Sequence, residues 1–315
     1  MSPRAARPSR TARPSRTARS SRTARPSRTT RPSRTTRPSR TALSARTLSL
    51  RLGVPVGALL AWQLAAWGHG SVFFPTPASI LAHGHALWFS GPPGRLFLTD
   101  DAVAHLLPSL GRVVAGFSLA AVCGIVLGLV LGRSRDAYAL CDPVLQFARA
   151  VPPPALVPVF VVLLAPGTRM QLASIVLSAV WPVLINTADG VRAVDPLRLE
   201  VAAALRMPLA ERVLLLYLAA ALPRVFAGLR LSLSLSLILM VFSELLPGTT
   251  NGIGFQLVDA QTRSDLLTVW AVIVLLGVVG QVLNSALLAV ERLLLGGRRE
   301  TRSPSPTRLR RAGSG

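Results

Sequence analysis

Residues 200–230 read EVAAALRMPLAERVLLLYLAAALPRVFAGLR, and they lie between two apolar segments that are each long enough to cross a membrane. The alanines and leucines of this stretch favour helix, and it carries four arginines. A connection between two helices of one bundle is normally short. The length and helical pattern of this connection therefore predict a docking surface for a component outside the membrane.

The composition is typical of a protein that crosses the membrane several times. Half of the 315 residues are apolar and 15% are charged, and several apolar runs approach 20 residues. The net charge of +22 would suggest nucleic acid, but the excess lies at the two ends of the chain. Residues 52–297 hold 14 arginines and 12 acidic residues, so we expect no nucleic-acid partner for the folded body.

The two ends have the composition of disordered tails. Arginine recurs at every third position from Arg4 to Arg40, and residues 1–47 form an Arg/Pro/Ser/Thr repeat with too few apolar residues to bury a core. We expect this segment and the basic segment 298–315 to be disordered, on either side of a transmembrane domain at 48–297. Three interpretations of the first tail stay open: contact with anionic membrane lipid, nucleic-acid binding without aromatic residues for stacking, or an extension without function.

Six apolar segments separated by helix breakers are candidate transmembrane helices. They cover residues 50–68, 110–132, 143–164, 170–188, 224–246 and 267–293, and the third is interrupted by Pro152, Pro153, Pro154 and Pro158. Only one orientation puts nearly all of the loop arginines on the cytoplasmic side, where positive loops are normally found. We therefore expect an all-α polytopic membrane protein with about six spans. Both termini and the stretch 200–230 are expected in the cytoplasm.

Small residues recur at four-residue spacing on two of these segments. The stripes include Gly124 and Gly128 in the second segment, and Gly228, Ser232 and Ser236 in the fifth. Such stripes let a neighbouring backbone approach closely. The sequence leaves open whether the neighbour is another helix of this chain, a second subunit or the substrate pathway.

Glu244, at the outer end of the fifth segment, is a candidate pathway residue. A carboxylate at membrane depth is usually paired or lines a water-filled cavity. The alternative is a side chain that extends to the membrane interface.

The chain lacks the motifs of an energy-converting enzyme. It contains no GxxxxGK[ST] phosphate loop and no HExxH motif. His83 and His85 have no third ligand beside them, so we predict no metal and no cofactor. Transport driven by ATP would need an ATPase on another chain.

Seven phrases of the chain form an ordered pattern. They are FPTPASIL (74–81), HLLPSLGRVVAGFSLAAVCGIVLGLVLG (105–132), DPVLQFARAVPPPALVPVFVVLL (142–164), PVLINTADGVRAVDP (182–196), EVAAALRMPLAERV (200–213), LPRVFAGLRLSL (222–233) and SELLPGTTNGIGF (243–255). In this order and spacing they resemble the inner-membrane permease subunit of bacterial binding-protein-dependent ABC importers, of the nitrate, sulfonate and taurine type.

The resemblance implies a permease domain at 48–297 that forms the substrate pathway in the bacterial cell membrane. It implies two kinds of partner, a separate ATP-binding cassette ATPase subunit and an extracytoplasmic substrate-binding protein, and a homodimer as the usual assembly. The substrate would be a small anion such as nitrate, an alkanesulfonate or taurine. No enzyme activity is expected on this chain.

The resemblance also assigns a function to the stretch 200–230. The family's cytoplasmic loop carries Glu-Ala-Ala, then Gly, then Leu-Pro, and forms a helix, a turn and a second helix that couple to the ATPase. Glu200, Ala202, Leu222 and Pro223 match this pattern, and the coupling loop is expected to include Ala203, Arg206, Met207 and Pro208 as well. Glu200 is expected near the amino-terminal dipole of the first helix, and Pro208 at the first position of the second.

Arg206 stands where the family carries glycine, in a turn that often needs a positive φ. This departure leaves a degenerate, non-coupling paralogue as one alternative. The other alternative is a secondary transporter or channel, which should show inverted repeats and charges along its spans. No clear repeat and few such charges occur.

Overall fold

The computed structural model describes the backbone of residues 40–69 and 73–295, and the side chains of residues 53–68 and 73–295. The first helix begins at Arg40, because alanine and leucine become frequent there and no proline occurs between Pro38 and Pro55. The last eight residues of the predicted first tail are therefore helical, and the rest of both predicted tails lies outside the described residues. The chain divides into two units between residues 55 and 56, inside this helix.

The described residues are mostly helical and contain no strand. The α-helices are α1 Arg40–His69, α2 Pro77–Trp88, α3 Leu107–Gly132, α4 Arg135–Ala150, α5 Pro153–Leu164, α6 Thr168–Arg192, α7 Pro196–Ala204, α8 Leu209–Glu211, α9 Ala219–Glu244, α10 Ile253–Thr262 and α11 Leu266–Leu295. Two π-helical segments, Ala102–Leu106 and Arg212–Leu218, lead into α3 and α9. The prediction of an all-α membrane protein is confirmed.

Four helical segments of the described residues are long and apolar enough to cross a membrane: Ala102–Gly132, Thr168–Arg192, Leu209–Glu244 and Leu266–Leu295. The pair α4 and α5 would add a fifth if it is counted as one span. The predicted first span, 50–68, lies within α1. The four segments were identified among the described residues, which do not include the side chains at the start of α1. The count of six spans therefore stays a prediction.

The predicted third span, 143–164, is a broken one. Its two halves belong to α4 and α5, which meet at 89°. Val151 is held in an extended conformation before Pro152 because the ring of a proline excludes the helical region for the residue before it. A single straight helix across this region is therefore excluded.

The predicted fifth span begins earlier than residue 224. Helical structure is continuous from Leu209 to Glu244, with Pro223 inside it. The π segment that ends at Leu218 lies one turn before this proline, and local π geometry is one way in which membrane helices accommodate a proline. The second half of the stretch 200–230 is thus a rigid extension of a membrane span.

α6 packs along its length between α3 and α9. The small residues of α3 allow the close approach, because a Cβ atom at Gly116, Gly124, Gly128 or Gly132 would lie within 2.6–2.7 Å of a side-chain carbon of α6. Gly190 of α6 meets Ala221 of α9 in the same way. These contacts hold α3, α6 and α9 together.

Candidate functional site

α7 is a short helix with a well-defined start. Asp195 is its N-cap and accepts a hydrogen bond from the backbone N–H of Leu197 at 3.0 Å, and Pro196 occupies the first helical position. Glu200 lies in the second turn and is exposed. The expected interaction of Glu200 with the dipole of the helix start is therefore wrong, and Asp195 provides the carboxylate there.

One face of α7 is apolar and exposed. Leu197, Val201 and the C-cap Leu205 follow each other at four-residue spacing and are 63%, 52% and 70% exposed, whereas the next residue after Val201, Ala202, faces the protein and is 2% exposed. Four-residue spacing places side chains in one row on a helix. We call these three side chains the α7 ridge.

The turn after α7 is closed by two backbone hydrogen bonds. Met207 N–H donates to the carbonyl of Ala202 and Arg206 N–H to that of Ala203, each at 3.0 Å. This is the Schellman arrangement, which needs a left-handed residue after the helix end. Arg206 is that residue, with φ +49°. The position where glycine was expected therefore has a left-handed conformation, although the side chain of Arg206 disfavours it.

The remaining coupling-loop positions lie around this turn. Pro208 is the N-cap of α8 and not its first residue, so that expectation is wrong, but its fixed φ still ends the turn. Ala203 and Pro223 are exposed, and Met207 and Leu222 are half-buried. The structure brings residues 202–208 together in one turn and places Leu222 and Pro223 in α9.

Glu244 lies in a buried ion pair at the other end of α9. It is 1% exposed, and its Oε1 atom lies 2.6 Å from Nη1 of Arg112 in α3, which is 5% exposed. Ser109 donates a hydrogen bond to the same carboxylate at 2.8 Å, and the backbone N–H of Gly254 donates another at 3.0 Å. The alternative of an interfacial Glu244 is thus excluded.

The loop between α9 and α10 encloses this carboxylate. Asn251 accepts hydrogen bonds from the Arg112 guanidinium with both its side-chain and backbone oxygens. A Cβ atom at Gly252, whose φ is +121°, would lie 2.4 Å from the Glu244 carboxyl carbon. Only glycine fits this position, on grounds of both space and conformation. The ion pair therefore ties α3, α9 and the start of α10 into one unit.

A cavity of about 270 Å³ adjoins the ion pair. It is lined by Pro108, Gly111, Arg112, Ala115, Thr168, Leu172 and Asn251. Thr168 is the first residue of α6, whose N-cap Gly167 offers no side-chain acceptor, so the unpaired N–H groups of that helix end add positive potential nearby. The cavity thus combines a guanidinium, an amide side chain and a helix start.

The small-residue stripes pack inside the chain. Gly124 contacts Val183 and Gly128 contacts Thr187, both on α6. Gly228 lies against the carbonyl of Pro182, and Ser232 donates a hydrogen bond to the carbonyl of Ala179. Ser236 is fully buried and bonds to the carbonyl of Ser232. All five predicted positions are therefore occupied by contacts within α3, α6 and α9.

The profile of one family, described as the inner membrane component of binding-protein-dependent transport systems, matches residues 121–295. The chain belongs to this family. The match includes the α7 ridge, the Arg206 turn and Glu244, and begins after Arg112.

Curated relatives extend the similarity beyond this range. The permease is 32% identical to the bicarbonate transport system permease protein of Synechococcus elongatus over 250 residues, which cover 79% of this chain and 90% of the relative. It is 32% identical to the nitrate import permease protein of a Synechocystis strain, over 78% of this chain and 89% of the relative. It is 28% identical to the taurine transport system permease protein of Escherichia coli, over 79% and 90%.

Arg112 is the member of the buried ion pair that the sequence did not single out. It lies inside the predicted second span, where a lone charge surrounded by apolar residues calls for a partner. Glu244 is the acidic residue inside the predicted fifth span. Pairing the two unmatched charges of opposite sign would have found the contact.

Proposed function

We propose that this permease is the membrane subunit of an ABC importer in which α7 docks on a separate ATPase and two copies of the chain enclose the pathway. The side that carries α7 is cytoplasmic, as are both termini, and an extracytoplasmic binding protein delivers the substrate to the opposite side. Movement of the ATPase would reach the membrane through the continuous helix Leu209–Glu244.

The α7 ridge carries the docking proposal. Its three apolar side chains are more than half exposed on a helix that follows the end of a membrane span. A charged or polar face would suit water in this location, whereas an exposed apolar row flanked by polar residues is typical of a protein contact. Seating such a row in a groove of a partner is a common mode of helix recognition.

The orientation rests on the arginines. Four arginines lie on the side that carries α7: Arg133 and Arg135 at the α3–α4 corner, Arg192 at the end of α6, and Arg198 in α7. Arg169 and Arg263 lie at the opposite ends of the spans. Positive residues near span ends favour the cytoplasm. This side is the one on which an ATPase has access to ATP.

A small anion is the substrate class that we propose. The relatives are named for bicarbonate, nitrate and taurine, and the cavity beside Arg112 presents hydrogen-bond donors. The Glu244 carboxylate balances the Arg112 charge. A neutral cavity with several donors would let an anion pass without holding it tightly, as transport requires.

The test is retention of the partner ATPase, whose gene we expect beside that of this permease. Val201→Asp places a carboxylate in the middle of the α7 ridge, where docking would bury it without a partner at a cost of at least about 2 kcal/mol. We expect retention on the purified permease to weaken by roughly 30-fold or more.

Ser134→Asp is the matched control. It adds the same charge on the same side of the molecule, and aspartate preserves the N-cap that Ser134 provides to Ala137 at 3.2 Å. The proposal requires near-normal ATPase retention in this variant. Equal retention by the Val201→Asp variant and the wild type would remove α7 as the docking element.

A further inference from the structure

A cavity of about 720 Å³ lies on the same side of the molecule as α7. Its walls come from the α3–α4 corner, the end of α6, the start of α7 and the start of α9. The charged lining residues are the arginines Arg133, Arg135, Arg192 and Arg224 and the carboxylates Asp136 and Asp189. The lining therefore carries a net positive charge, in a volume typical of small-molecule sites, roughly 300–1,000 Å³.

Two of the four guanidinium groups are engaged by protein. Arg192 lies 3.9 Å from the carboxylate of Asp189 and stacks on the ring of Tyr138, with 4.1 Å to its centroid. Arg224 donates to the backbone carbonyl of Asp189. Among the described side chains, those of residues 53–68 and 73–295, Arg133 and Arg135 form no ion pair and no side-chain hydrogen bond. Their charges are available to a ligand at the rim of the cavity.

The cavity lies beside the ends of the apolar spans formed by α3 and α6. The apolar span of α3 ends at Gly132 and that of α6 at Arg192, and both residues line the cavity. A ligand bound here is therefore beside the headgroup region of the bilayer.

α4 provides an apolar surface next to this cavity. Leu140, Val144 and Phe147 form a row at positions i, i+4 and i+7 and are 81%, 65% and 73% exposed. Asp136, one helical turn before Leu140, lines the cavity. Because α4 meets α5 at 89°, α4 lies along the membrane surface if α5 enters the bilayer. An amphipathic helix in this position buries its apolar row among acyl chains.

We propose that the cavity binds the headgroup of an anionic phospholipid from the cytoplasmic leaflet. The phosphate lies between Arg133 and Arg135, where guanidinium groups form charge-assisted hydrogen bonds to its oxygens, and the acyl chains follow the row on α4. Basic pockets between helices on the cytoplasmic side are suited to such lipids. A lipid in this place links the α3–α4 corner to the start of α7. The inference rests on the orientation proposed above.

The experiment measures lipid binding to the purified full-length chain in detergent by native mass spectrometry, with phosphatidylglycerol and phosphatidylcholine as probes. We expect the wild type to bind phosphatidylglycerol more tightly than phosphatidylcholine. Each arginine near the surface contributes about fivefold to the attraction of an anionic lipid, so Arg133→Gln/Arg135→Gln should weaken phosphatidylglycerol binding by about 25-fold.

Two further variants serve as controls. Arg198→Gln removes a charge from α7 without touching the cavity lining, and phosphatidylglycerol binding should stay unchanged. Arg133→Lys/Arg135→Lys keeps both charges and the topology signal, so its binding should stay within about fivefold of the wild type. A folded Lys variant with normal binding shows that the loss in the Gln variant reflects charge.

Several results would overturn the proposal. The first is equal binding of the two lipids, and the second is undiminished phosphatidylglycerol binding in the Arg133→Gln/Arg135→Gln variant. The third is displacement of the lipid by soluble glycerol phosphate at a comparable concentration, because the site would then be one for a soluble anion. If Phe147→Gln separates a dimer and leaves lipid binding unchanged, the α4 row is a subunit contact. Failure of lipid binding with normal ATPase retention would leave the docking proposal for α7 intact.

Discussion

Breaking the buried ion pair from one side should cost far more than removing it from both sides. Arg112→Met leaves the Glu244 carboxylate buried with only its hydrogen bonds from Ser109 and Gly254. Removing one partner of a buried pair typically costs about 3–5 kcal/mol. Glu244→Gln keeps the shape of the side chain but leaves the Arg112 guanidinium buried without its counter-charge, and we expect a loss in the same range.

The double variant Arg112→Met/Glu244→Gln contains no buried charge at this place. An apolar side chain then fills the volume of the guanidinium stem, and the amide still accepts from Ser109 and Gly254. Since replacing a whole buried pair is often close to neutral, we expect a loss of about 1–2 kcal/mol. The coupling energy in the cycle should therefore be at least about 4 kcal/mol.

The free energy of unfolding is measured by titration with a denaturing detergent in mixed micelles, for the wild type, both single variants and the double variant. Arg95 and Asp100 form an exposed ion pair, with side chains 59% and 92% exposed, and provide the matched control cycle. Their coupling should stay below about 1 kcal/mol. Additive losses at Arg112 and Glu244, or a single variant as stable as the wild type, would refute the reasoning.

Three glycine-related variants test the packing and the turn. Arg206→Gly should stabilise the left-handed turn by about 1 kcal/mol. Hydrogen exchange of the amides in the α7–α8 turn should therefore become roughly fivefold slower, and ATP-driven uptake should not fall. Faster exchange would contradict this prediction. Gly128→Val should lower the free energy of unfolding by at least about 1–3 kcal/mol, because its Cβ would lie 2.6 Å from a side-chain carbon of α6. Gly277→Val is the control: a Cβ there meets nothing within 4 Å, so the unfolding midpoint should stay unchanged. Gly252→Ala should lower the free energy of unfolding at least as much as Gly128→Val in the same titration, because its methyl group would strike the Glu244 carboxyl carbon. A neutral result would mean that the loop is not held against this carboxylate.

Apolar run length and alanine content predicted the helical class, because they are properties of a single segment. The resemblance to the family predicted the helix, turn and second helix in the stretch 200–230. The turn at Arg206 was also located, although composition alone argues against a left-handed arginine. Its conformation follows from its surroundings: α7 ends in a Schellman arrangement and Pro208 stops the following residues from resuming the helix.

Contacts between distant segments were harder to predict. Arg112 and Glu244 are separated by 132 residues, and nothing local indicates that the start of α3 meets the end of α9. The direction of α4 relative to α5 was missed for a different reason. Prolines at 152–154 show where a helix breaks, but the angle between its halves depends on what each half packs against.

ATP-driven uptake in proteoliposomes tests the central claim most directly. The permease and its ATPase are reconstituted with the binding protein and a labelled anion such as nitrate, with ATP supplied only on the side that carries α7. The account predicts uptake that needs ATP, is lost in the Val201→Asp variant and persists with Ser134→Asp. Uptake driven by an ion gradient without ATP, or unchanged in the Val201→Asp variant, would contradict it.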